Sequence, residues 1–156
     1  MVKSMNRTAA LAAWGLLALV AAPLARAAPL EFAVLLSGQQ RVPPLVDQSA
    51  STSTASFTYD EETRALTWSL VYSGVRSAVT EAQLRGPAAL GKNARVLIQL
   101  GAGARNGVQI PSPVTGHATL TPRQARYLIG GTVYVVVNTA DHPDGELRAQ
   151  VIVPKS

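Results

Sequence analysis

GGTVYVVVNTADHPDGELRAQVIV, from Gly130 to Val153, holds two strand signals separated by a turn signal. Thr132–Val137 is dense in β-branched and aromatic residues, which pack well on a pleated, half-buried surface. Asn138–Gly145 supplies Asp, Pro, Asp and Gly in quick succession, the residues of a tight turn. Leu147–Val153 reads as a second strand. Two strands joined by so short a loop are most simply antiparallel neighbours. The loop also brings together Asp141, His142, Asp144 and Glu146, three carboxylates and one of the chain's two histidines.

Working back from Gly130, Thr121-Pro122 starts a helix. Thr caps it, and Pro at the first helical position loses only an N–H that has no helical partner. The spacing predicts a helix over about 122–129, with Ala125, Leu128 and Ile129 inward and Gly130-Gly131 as its stop. Val114–Leu120 and Arg95–Leu100 read as strands. Gly101–Gly107 between them is a glycine-rich loop, but prolines 111 and 113 follow it instead of a helix N-terminus, which argues against a phosphate cradle. Val79–Arg85 is a strand with Thr80, Ala82 and Leu84 on one face and Glu81, Gln83 and Arg85 on the other. Ala55, Phe57 and Tyr59 alternate with Ser56 and Thr58, and Leu66, Trp68, Leu70 and Tyr72 alternate with Thr67, Ser69 and Val71. That pair is a hairpin with its aromatic face inward, turning at Asp60–Arg64. Leu30–Leu36 is the first strand. About eight short strands and one helix specify an all-β antiparallel sandwich.

The N-terminus has a different character. Lys3 and Arg7 precede an apolar run at Ala9–Val20, and Ala25-Arg26-Ala27 carries small residues where a signal peptidase reads them. The run is too short for a comfortable membrane span. Residues 1–27 are therefore expected to be a signal peptide and 28–156 the mature domain, secreted or periplasmic. No later segment is long and apolar enough to keep the processed chain in a bilayer. The leader holds Lys3, Arg7 and Arg26 and no acid, so of 14 basic and 9 acidic residues 11 and 9 remain, a net of +2. Scattered charges of that size give no electrostatic case for nucleic acid. The chain has no cysteine, which removes disulfides, thiol catalysis and thiolate metal sites.

Five segments resemble, in order, the CHRD domain, the module repeated in chordin and found singly in many exported bacterial proteins. They are FAVLLSGQQRVPP (32–44), SFTYDEETRALTWSLVYSG (56–74), AQLRGPA (82–88), GHATLTPRQARYLIGGTVYVVVNT (116–139) and HPDGELRAQV (142–151). The resemblance implies an immunoglobulin-like β-sandwich, akin in layout to copper–zinc superoxide dismutase. It also implies a pocket where many members place His-x-His before Gly-Pro-Ala, a further His at the end of the long strand, and the His of the HPxGE turn. Here those positions hold Gln83, Arg85, Asn138 and His142. Guanidinium has no lone pair to offer a metal and adds a repelling charge, so this degenerate pocket is read as having lost copper or zinc binding. No cofactor is expected.

The remaining candidates have plainer roles. His142 is most simply a turn residue and His117 a surface one. Asp141, Asp144 and Glu146 could form a weak calcium loop, since calcium takes about six to eight oxygens. Acids beside Pro and Gly are common in turns, so an ion pair of Glu146 with Arg148, extended to Arg85, is the preferred reading. There is no GxSxG, no HExxH and no evident acid–base pair, so no enzyme is expected. The function this sequence supports is an exported, non-catalytic binding or structural module whose partner is an unidentified protein or envelope component. The alternative is a metal-binding or redox-related protein.

Overall fold

The computed structural model describes residues 27–45, 51–103 and 108–154. The expected leader, residues 1–27, lies outside these but for Ala27, as does part of the glycine-rich loop. The strands are β1 (Leu30–Leu36), β2 (Thr52–Asp60), β3 (Ala65–Ser73), β4 (Val79–Arg85), β5 (Val96–Ala102), β6 (Val114–Thr119), β7 (Val133–Thr139) and β8 (Leu147–Val151). One helix, α1 (Pro122–Ile129), joins β6 to β7. Two four-stranded sheets form, ordered β1-β2-β3-β6 and β5-β4-β7-β8, and every pairing is antiparallel. The protein is thus an all-β sandwich.

Sequence alternation produces the core directly. Phe57, Tyr59, Leu66, Trp68, Leu70 and Tyr72 point from the first sheet toward Ala82, Leu84, Val135, Val137, Leu147 and Ala149 of the second. Phe32, Phe57, Trp68 and Gly116 lie in one row across the first sheet, and the two phenylalanine rings stack at 5.3 Å. Trp68 Nε1 crosses the sandwich to donate to the Leu100 carbonyl at 3.2 Å. The Tyr72 hydroxyl donates to the Ile110 carbonyl, so both polar tips of these rings are satisfied inside.

Local signals behave as their chemistry dictates. Thr121 and Gln124 form a reciprocal capping box, at 3.2 Å to the Gln124 N–H and 2.9 Å to the Thr121 N–H. Asp60 Oδ1 accepts from the Glu62 and Thr63 N–H groups and so sets the β2–β3 turn. Ala125 and Leu128 are buried as expected, but Ile129 is 46% exposed. It is the last helical residue, and the chain turns away at Gly130-Gly131 before β7 can cover it.

β7 departs from a half-buried strand, because all seven of its residues are buried. So are all five of β8. The outer face of the second sheet is roofed by two loops. Residues 86–95 are tied down by the Tyr134 hydroxyl, which accepts from the Ala94 N–H at 2.8 Å and donates to its carbonyl at 3.2 Å. Residues 37–45 dock through a pair of backbone bonds between Ser37 and Arg148, at 3.0 and 3.1 Å. Asn93 Nδ2 donates to the Val42 carbonyl at 3.1 Å and joins one loop to the other.

Candidate functional site

Under this roof the second sheet carries a polar grid. The β4–β7–β8 registers place Glu81, Asn138 and Glu146 in one row, Gln83, Val136 and Arg148 in the next, and Arg85, Tyr134 and Gln150 in the third. Residues two apart on a strand share a face, so the sequence alone aligns each column; pairing aligns the rows. Gln83, Asn138, Glu146, Arg148 and Gln150 are all buried, and Glu146 is fully so.

The polar face of β4 forms a hydrogen-bonded chain with Asn138. Glu81 Oε2 accepts from Gln83 Nε2 at 2.7 Å and from Asn138 Nδ2 at 3.1 Å. Gln83 Nε2 also reaches Gln99 Oε1 at 3.1 Å, and Arg85 Nε donates to Gln83 Oε1 at 2.8 Å. Gln83, Arg85 and Asn138 are thus brought together, with Glu81 the acceptor shared by Gln83 and Asn138, and Gln83 the acceptor for Arg85. His142 sits beyond them in the β7–β8 turn, half-buried, its N–H and carbonyl both bonded to the Thr139 backbone at 3.2 Å.

The acidic residues of that turn separate. Asp141 and Asp144 face solvent, while Glu146 turns inward and accepts from the Thr139 hydroxyl at 2.6 Å. Among the described residues no group of three or more His, Asp or Glu side chains is placed to hold a metal. The expected Glu146–Arg148 contact is not made, because their hydrogen bonds run in different directions. Arg148 Nη2 donates to the Lys92 carbonyl at 2.9 Å and to Gln150 Oε1 at 3.3 Å. Its guanidinium lies 3.9 Å from the centre of the Tyr134 ring. Burial pushes the Arg148 guanidinium below the ordinary arginine range, with the Tyr134 hydroxyl acting the other way. Arg85 stays with Gln83.

A cleft of about 360 Å³ opens between the two roofing loops, with Arg41, Val42, Pro44 and Leu90 on its sides and Arg148 and Gln150 at its base. Arg41 Nε and Arg148 Nη1 are buried without a hydrogen-bond partner. Asn138 Oδ1 and Glu146 Oε1, opposed across β7 and β8, are the other buried side-chain atoms without one among the described residues. A second, more solvated concavity of about 600 Å³ lies between β5 and α1, with Arg95, Arg123 and Arg126 around it.

Sequence reading identified Gln83, Arg85, Asn138 and Glu146 but assigned no role to Arg41 or Gln150. Arg148 and Gln150 alternate with Leu147, Ala149 and Val151, a pattern that ordinarily marks a solvated face. The one available signal was the loop composition: Val42-Pro43-Pro44 and Gly86-Pro87 are stiff segments beside that face, able to lie across it.

A two-sheet antiparallel sandwich with one roofed polar face is the class these features define. The family model for the CHRD domain matches residues 32–151, most of the chain, and the protein belongs to that family of small extracellular-type β domains. No curated protein and no solved structure matches it.

Proposed function

We infer that the protein is an exported, non-catalytic binding module of the periplasm or cell surface, and that it binds through the cleft over β8. The observation that carries this is the buried Arg148 side chain at the base of an open cleft, with Nη1 unpaired. Leaving a charged donor unsatisfied is costly, and a ligand or partner entering the cleft would supply the missing contact. The side chains around the cleft include arginines, glutamines and aliphatics, with no paired nucleophile and base. Copper or zinc draws no support from the residue set: Gln83 Oε1 already accepts from Arg85, Asn138 offers only a neutral amide oxygen, and Arg85 brings a cation to the same place.

The test places a photo-crosslinking amino acid at Leu90, on the cleft rim, and at Ser56, exposed on the opposite sheet. Irradiation of exporting cells should give a discrete adduct from position 90 and none from position 56. No adduct from either position, or the same adducts from both, would remove the reading. Export is tested separately: the recovered protein should begin at Ala28, and an intact Met1 in the exported form would defeat it.

A further inference from the structure

The geometry points to a carboxylate as the group this cleft receives, carried on an apolar tail that lies along Val42, Pro44 and Leu90. The inference rests on the binding-module reading and adds the chemistry of the ligand. Arg41 and Arg148 come from different segments, yet both line the same cleft, and each holds a buried N–H without an acceptor. Among the described residues no carboxylate is hydrogen-bonded to Arg148; its acceptors are the neutral Lys92 carbonyl and Gln150 amide. A buried guanidinium without a counter-charge is unfavourable, and the Tyr134 ring beneath it offsets only part of that. A carboxylate supplies both the missing charge and the missing acceptors, and charge-assisted bonds of this kind are the strong ones. Gln150 cannot serve as an extra donor, because its Nε2 is engaged by the Ala88 and Gly131 carbonyls at 3.1 and 2.8 Å. Arg41 and Arg148 are therefore the charged donors that line the cleft, beside the neutral amides of Gln39 and Gln40.

The rest of the cleft selects against a bare inorganic anion. Leu90 is 76% exposed at the rim, an apolar side chain left in water beside a polar base. A tail covering it removes apolar surface from solvent, which phosphate cannot do. Two sources share this chemistry, a small aliphatic acid and the carboxylate of a peptide.

The test is an NMR titration of 15N-labelled protein, following the arginine side-chain signals. The probes are hexanoate, its neutral isostere hexanamide, acetate, inorganic phosphate, and the tripeptide Gly-Ala-Leu with a free or an amidated C-terminus. Hexanoate or the free tripeptide should shift Arg41 and Arg148 together, with a Kd of about 1 mM or below. The tighter of the two identifies the source. Arg41→Met should weaken that binding about tenfold. Leu90→Ser should weaken hexanoate while leaving acetate unchanged. Both positions sit in surface loops, so these variants should fold even where Arg148→Met does not. Hexanamide or phosphate binding as tightly as hexanoate, or an unchanged affinity in Arg41→Met, would overturn the carboxylate assignment. Silence from every probe while the Leu90 adduct persists would sink this inference and leave the binding-module reading in place.

Discussion

Replacing Gly116 by alanine tests the packing that closes the sandwich. Gly116 stands opposite Trp68 in the β3–β6 register. A Cβ at Gly116 lies 2.5 Å from Trp68 Cζ2 and 2.8 Å from Cε2. Ordinary carbon contacts are about 3.5–4.0 Å, so the ring must move. It has little room, since Trp68 is 8% exposed and its N–H is held by the Leu100 carbonyl of the other sheet. Overpacking a filled core costs about 1–3 kcal/mol. The glycine-to-alanine change itself returns about 0.5–1 kcal/mol in a strand interior, by lowering the entropy of the unfolded chain. The net expected loss is about 1–2 kcal/mol, which urea unfolding resolves. The decisive measurement is the double-mutant cycle with Trp68→Phe. The phenyl ring withdraws from Gly116 but leaves the Leu100 carbonyl without its donor, at a cost of roughly 1–3 kcal/mol on its own. In that background Gly116→Ala should be neutral or stabilising, a coupling of about 1–2 kcal/mol. Additivity within about 0.5 kcal/mol would refute the argument that Gly116 is small because Trp68 lies over it.

Trp68→Ala should cost about 3–5 kcal/mol in the same assay, and a change under about 1 kcal/mol would show that the aromatic face is not the core face. Gly145 has φ +120°, and a Cβ there lies 2.6 Å from Val136 Cγ2; Gly145→Ala should destabilise by about 1–3 kcal/mol, and a neutral result would mean the turn seating Glu146 is free to rearrange. Burial, and then the Glu61 carboxylate, raises the Tyr59 phenol above its usual 10.0. The folded state thus holds that proton more tightly, so the contribution is complete below pH 10 and is lost as pH rises through the folded value. Unfolding free energy should fall from about pH 10 upward and fall less in Tyr59→Phe; parallel curves would exclude Tyr59 as the cause. After equilibration with copper and zinc, elemental analysis should find well under one ion per chain, while the combined changes Gln83→His, Arg85→His and Asn138→His should create binding; one tightly held ion in the unaltered protein would restore the metal reading.

Most of the fold is present in local pattern. Alternation at Ala55–Tyr59 and Leu66–Tyr72 marks strands because period two is imposed by the pleat itself, and Thr121-Pro122 with Gly130-Gly131 brackets α1 through caps that act within a few residues. Such signals need no knowledge of the rest of the chain. Strand order is different: β6 beside β3 and β7 beside β4 are pairings between distant segments, which no local pattern specifies and only the folded chain shows.

The site divides along the same line. Period two alone puts Glu81, Gln83 and Arg85 on one face and Glu146, Arg148 and Gln150 on another, and turn residues put His142 between strands. Sequence pattern could not determine that those faces are the same face, or that it is buried. Alternating polar residues look alike whether water or a loop covers them. Only the folded chain lays residues 37–45 and 86–95 over β7 and β8 and removes Glu146 and Arg148 from water. Only there does each find a partner other than its neighbour in sequence, Thr139 for one and the Tyr134 ring for the other. The guanidinium nitrogen without an acceptor that defines the candidate site is a property of burial, and burial is decided by segments far apart in the chain.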